Sequence, residues 1–70
     1  MGTPTQREIM TPKDVEEETG IPEGTLRYYR HAGTGPASFR LGGRVRYRRS
    51  DVSAWIADQE QATRRGGVTV

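Results

Sequence analysis

At 70 residues with 31% hydrophobic content, no cysteine and one histidine, the chain has material for a single small core and none for disulfides, thiolate metal sites or a histidine metal cluster. No apolar run approaches the length of a membrane span or a signal peptide, and no nucleophile, base and acid constellation is present. The expectation is a cytoplasmic, non-enzymatic chain without cofactor or membrane contact. The net charge of +2 conceals a polarised distribution: residues 1–24 carry two basic against six acidic side chains, residues 25–50 carry seven arginines, His31 and no acid, and residues 51–70 carry two arginines against three acids. A basic stretch interleaved with Tyr28, Tyr29, Phe39 and Tyr47 is the electrostatic footprint of a surface that meets phosphate.

Residues 1–8 are polar with an early Gly and Pro, and are expected to form a flexible arm. Ile9 and Met10 then precede a well-marked helix start. Thr11 suits the N-cap, Pro12 suits the first helical position, where its missing N–H costs nothing, and Asp14 stands three residues after the cap. Met10 is placed to staple onto Val15. The helix is expected to stop at Gly20, with its acidic residues forming a solvated face.

After the tight connection Gly20-Ile21-Pro22, a second helix opens at Pro22 or Glu23 and runs through His31. Leu26 and Tyr29 share its core face, while Arg27 and Arg30 share another. Two short helices around a glycine-containing turn, the second with a basic outer face, fit a helix-turn-helix. They fit an ordinary helical hairpin with solvated arginines equally well. His31 reads as a surface residue without a special role.

Residues 32–37 form a loop by composition. Ser38-Phe39-Arg40-Leu41 and Arg44-Val45-Arg46-Tyr47-Arg48 alternate apolar residues with arginine on either side of Gly42-Gly43, which is a hairpin signal. A two-residue loop would put Phe39 and Leu41 on the face opposite Val45 and Tyr47. Since so short a chain can hardly leave two apolar residues wet, an odd loop or a bulge is the expectation, with Phe39 and Tyr47 both in the core. A third helix follows with Ser50 as its N-cap. Val52, Trp55 and Ile56 make one apolar stripe on it, in which Trp55 is the largest core candidate. The stripe ends by Gln59, so residues 61–70 are expected to be a flexible tail.

The ordered set Thr11-Pro12-Lys13-Asp14-Val15, Gly20 to Arg30, Gly35-Pro36, Leu41-Gly42-Gly43-Arg44-Val45-Arg46-Tyr47 and Ser50-Asp51-Val52-Ser53-Ala54-Trp55-Ile56 resembles the excisionase-type winged helix-turn-helix family, related to the N-terminal domain of MerR-like regulators. The likeness covers about residues 9–58. It implies an α+β, mainly α fold of helix, helix, β-hairpin wing and helix, in a domain spanning residues 9–60. In that family the second helix enters the major groove and the wing reaches the backbone or the adjacent minor groove. Carried onto this chain, Glu23, Thr25, Arg27, Tyr28 and Arg30 are the recognition-helix candidates, and Arg40, Gly42, Gly43, Arg44 and Arg46 the wing. Pro22 stands where family members often have Ser or Thr.

Arginine's planar fork suits this work, because it grips phosphate or reads guanine with two parallel hydrogen bonds. Arg44 or Arg46 is expected at or beside the minor groove, where negative potential is enhanced. Each assignment has a plainer competitor. Tyr28 is a phosphate contact or a surface residue, Glu23 a cytosine reader or a helix-start carboxylate, and Arg48 and Arg49 phosphate contacts or solvated charges. The resemblance implies a recombination directionality factor of a phage or other mobile element in a bacterial host. Such a protein binds repeated sites in double-stranded DNA cooperatively, bends it and partners a site-specific integrase; in this chain the acidic first helix and the basic central stretch offer opposite charges for head-to-tail self-association of neighbouring copies on DNA. A small MerR-like or AlpA-like transcriptional regulator, and a protein-interaction module with a basic hairpin, remain the alternatives.

Overall fold

A computed structural model describes residues 7–66, and its element order is β1 (Ile9–Met10), α1 (Pro12–Thr19), α2 (Glu23–Ala32), β2 (Phe39–Leu41), β3 (Arg44–Arg48) and α3 (Arg49–Thr63). Among the described residues, five buried side chains make the core: Met10, Val15, Leu26, Tyr47 and Val52. Each comes from a different element, so only β2 contributes none. Ile21, Tyr29 and Val45 pack around them half-buried. With one full side chain per element, each burial of about 1.5–3 kcal/mol ties a separate segment into the fold.

Helix α1 begins as its residues dictate. The Thr11 hydroxyl accepts from the Asp14 N–H at 3.0 Å, and the Asp14 carboxylate accepts from the Thr11 N–H at 3.0 Å, a reciprocal capping box. Gly20 closes the helix in the left-handed conformation, its N–H donating to the Glu16 carbonyl. Met10 and Val15 meet in the core as the staple requires.

Helix α2 starts at Glu23 and ends at Gly33, again left-handed. Pro22 occupies its cap position and offers no side-chain acceptor. The acceptor comes instead from α1: a carboxylate oxygen of Glu16 takes the Glu23 N–H at 3.2 Å. A negative group there also complements the positive end of the helix dipole. The loop that follows is not loose packing material. Pro36 is buried, and Gly35, at a φ of 80°, lies so close to Tyr29 that a Cβ would stand 2.7 Å from the tyrosine's own.

The sheet has order β1-β3-β2, with both pairings antiparallel. The third strand, Ile9–Met10 against Arg48 and Tyr47, is an addition to the expected hairpin. The expected odd loop or bulge is absent. Leu41 pairs with Arg44, Arg40 with Val45 and Phe39 with Arg46, so the connection is the two residues Gly42 and Gly43, with φ of 60° and 82°. Two successive positive φ values are what a twist-matched two-residue hairpin demands, and the glycines supply them. That register separates the apolar residues. Tyr47 is fully buried, Phe39 is only half-buried under the Arg48 guanidinium, and Leu41 is 53% exposed.

Helix α3 also departs from expectation at both ends. Arg48, not Ser50, is its cap residue, and Ser50 lies inside the helix, where its hydroxyl donates to the Glu8 carboxylate. Of the expected stripe only Val52 is buried; Trp55 is half-buried and Ile56 is 42% exposed. Tyr47, not Trp55, is the largest core side chain. The helix continues through Thr63, so residues 61–63 of the expected tail are helical. Of the expected arm, Arg7 and Glu8 are pinned by their carbonyls, which accept from Arg49 Nε and from the Arg49 N–H, each at 2.7 Å. Residues 1–6 and 67–70, the remaining parts of the expected arm and tail, lie outside the described residues.

Candidate nucleic-acid interface

The helix-turn-helix and the hairpin face each other across an open cleft. Its helix side is Glu23, Arg27 and Arg30, and its wing side is Arg40, Gly43, Arg44 and Arg46, with Pro12 and Val45 completing the walls. Seven of the expected DNA-contact residues are therefore brought together by the fold. Period 3.6 explains the helix side, since Leu26 and Tyr29 turn inward and Arg27 and Arg30 then fall on the flank nearest the wing. Pro12 and Val45 were not expected there, and no local signal marks them, because their place depends on how α1 and β3 stack.

The arginines differ in what already holds them. Arg27 and Arg44 make no hydrogen bond or ion pair among the described residues, and both are exposed. Arg30 is half-buried and donates to the Tyr47 hydroxyl at 2.6 Å, with its guanidinium 6.0 Å from that ring's centre. Arg40 donates to the Gly43 carbonyl at 3.0 Å, and Arg46 to the carbonyl of Val45 at 2.7 Å. Two wing arginines are thus held against the hairpin's own backbone, which limits the rotamer freedom they would lose on meeting a phosphate.

The remaining expected residues lie outside the cleft walls. Tyr28 is 67% exposed and Thr25 half-buried, both on α2. Gly42 is the first residue of the hairpin tip. Arg48 lies over Phe39 and 3.7 Å from the Glu8 carboxylate. Arg49 faces another side of the molecule, where its guanidinium donates to both oxygens of Glu18 at 2.8 and 2.9 Å as well as to the Arg7 carbonyl. The paired hydrogen bonds hold the Glu18 carboxyl below its ordinary value of 4.5 and push the Arg49 guanidinium up. Sequence reasoning could not separate this structural arginine from the cleft arginines, because its partner is 31 residues away.

Three helices, a three-stranded antiparallel sheet and a basic cleft between the second helix and a glycine-tipped hairpin define a winged helix-turn-helix. A family model described as a helix-turn-helix domain matches residues 9–60, about three quarters of the chain, and the chain belongs to that family. It is a small helix-turn-helix DNA-binding protein. No curated protein and no solved structure matches it. No helix among the described residues is long and apolar enough to cross a membrane.

Proposed function

We propose that this protein is a DNA-binding architectural factor of the excisionase class, which binds repeated sites cooperatively, bends the DNA and directs a partner integrase toward excision. The observation that carries the reading is the cleft itself, two arginine-bearing walls set on a helix and on a thin glycine-tipped wing. In this reading α2 lies in the major groove. Thr25, Arg27 and Tyr28 reach base edges or the flanking phosphates, and Glu23 accepts from cytosine. The wing, with Gly42 and Gly43 at its tip and Arg40, Arg44 and Arg46 on its flanks, follows the phosphate backbone into the neighbouring minor groove. Arg30 serves first as the brace between α2 and Tyr47 and grips phosphate with its remaining N–H groups. Arg48 is a rim phosphate contact. Arg49, held by Glu18 and Arg7, leaves that set and acts as a structural clamp.

A domain this small makes a limited footprint, so affinity rests on several copies bound side by side. The test is a gel-shift titration with circularly permuted probes, using DNA from the protein's own genomic neighbourhood. A ladder of cooperative, bent complexes on direct repeats, followed by integrase-dependent excision, is the expected result. A single unbent complex at a promoter would replace the excisionase role with that of a MerR-like or AlpA-like regulator. Binding that ignores salt would remove the phosphate-gripping cleft altogether.

A further inference from the structure

Helix α2 begins without the means to hold its own first turn. Its cap position is Pro22, whose side chain has no acceptor, and its second residue is Gly24, the weakest helix former after proline. Gly24 stands in open space, with nothing within 4 Å of the place a Cβ would take, so no packing braces the turn there. A first turn built this way frays unless another part of the molecule supplies an acceptor. Glu23 and Thr25 lie on that turn and Arg27 follows directly, and all three belong to the set proposed to meet the bases.

The acceptor comes from one residue of α1. Glu16 holds both sides of the connection: its carbonyl accepts the Gly20 N–H at 2.7 Å, which closes α1, and its carboxylate accepts the Glu23 N–H at 3.2 Å, which opens α2. Its two acidic neighbours do neither. Glu18 is bound to Arg49, and Glu17 makes no hydrogen bond or ion pair among the described residues. Glu16 is half-buried where Glu17 and Glu18 are exposed, so one carboxylate of the three is turned toward α2.

We infer that Glu16 is a positioning residue for DNA recognition: its carboxylate stands in for the cap side chain that Pro22 lacks and holds the first turn of α2, with Glu23 and Thr25, in the geometry that reads sequence. Residues near the N-terminus of a recognition helix reach base edges, whereas phosphate contacts carry no sequence information directly. The order of this turn therefore bears on sequence preference more than on general affinity for DNA. Glu16 itself lines no wall of the arginine cleft. The role rests on the reading of α2 as the helix in the major groove. The sign of the effect separates it from that of a bystander: a carboxylate that only lay near DNA would repel phosphate, and its removal would tighten binding.

The experiment measures the affinity of the whole chain and its variants for a duplex that the wild-type protein selects from a random-sequence pool, and for a scrambled duplex of equal length. Glu16→Ala is expected to lose about fivefold on the selected duplex and to change less than about twofold on the scrambled one, with the salt slope unaltered. Glu16→Gln keeps an acceptor oxygen and is expected to stay within about twofold of wild type on the selected duplex. Glu17→Ala removes the same charge without touching α2 and is expected to bind at least as tightly as wild type. Pro22→Ser supplies a local cap, and in that background Glu16→Ala is expected to cost less than about twofold, a rescue that a general loss of stability would not show. Thermal unfolding above the assay temperature confirms that each variant is folded. Equal or tighter binding of the selected duplex by Glu16→Ala, an equal loss on both duplexes, or a loss that persists beside Pro22→Ser would overturn the inference and leave DNA binding by the cleft standing. A wild-type protein that selects no duplex would overturn the reading of α2 and the inference with it.

Discussion

Arg30 and Tyr47 join the second helix to the central strand through a 2.6 Å hydrogen bond, 17 residues apart in the chain. Tyr47 is the largest fully buried side chain, and its hydroxyl finds its partner at the edge of the core, where the half-buried Arg30 stands. The bond joins α2 to β3, two of the elements that carry the cleft residues. Tyr47→Phe keeps the ring and removes the acceptor; a loss of about 1 kcal/mol in denaturant unfolding is expected. Arg30→Met should cost a similar amount, and the double variant little more than either single one, because both remove one interaction. Full additivity would show that the bond is not formed.

Gly35 carries a different kind of constraint. A Cβ there meets the Tyr29 side chain at 2.7 and 3.0 Å, on a backbone with φ of 80°. Gly35→Ala combines a steric clash with a left-handed alanine, and about 2–3 kcal/mol of destabilisation is expected. Gly42→Ala, in open space at a φ of 60°, meets no neighbour and should cost less, about 1 kcal/mol. Thermal unfolding of the two variants side by side separates clash from backbone strain.

The Glu18–Arg49 pair sets an acid limit. Hydrogen bonds from Arg49 lower the folded-state pKa of Glu18 below 4.5, so its stabilising effect is fully present above that pH and is lost as pH falls through the lower folded value. Glu18→Gln should therefore unfold at a lower temperature than wild type at pH 7, and the two melting temperatures should converge as pH falls below 4.5. A difference that persists unchanged to pH 2 would assign the effect to packing. The raised Arg49 value adds no pH dependence in this range, since the group stays charged throughout.

On DNA, Arg27 and Arg44 are the informative pair because neither has an internal hydrogen bond or ion pair among the described residues. Arg27→Ala should weaken binding by about 1–3 kcal/mol and relax preference at one base position. Arg44→Ala should weaken all sequences alike and reduce the salt slope by about one. Binding titrations of both variants on a site and its single-base variants, at several salt concentrations, decide the assignment. If neither substitution changes affinity, the cleft is not the DNA-binding surface.

What was legible in the sequence follows how local each signal is. The capping box at Thr11 and Asp14 and the glycine stop at Gly20 involve neighbours within a turn, so α1 falls where those residues put it. Strand β1 was invisible because two residues have no periodicity; only pairing with Arg48 and Tyr47, far along the chain, makes them a strand. The hairpin register departs from the expected odd loop for an energetic reason. The turn preference of Gly42-Gly43 outweighs keeping Phe39 and Leu41 dry. The structure resolves the conflict by laying Arg48 over Phe39 and leaving Leu41 exposed. Likewise, seven arginines mark a basic surface, but which of them are committed internally depends on Tyr47 and Glu18, and no spacing rule reaches that far.

The sheet places its longest strand, the five residues of β3, in the middle, between edges of two and three residues. Each edge offers too short a row of free backbone groups to template a foreign strand, and Arg40 sits in the middle of one of them. Copies of the protein that come close together are thereby guarded against fusing into a continuous β-stack, and are left to meet through side chains.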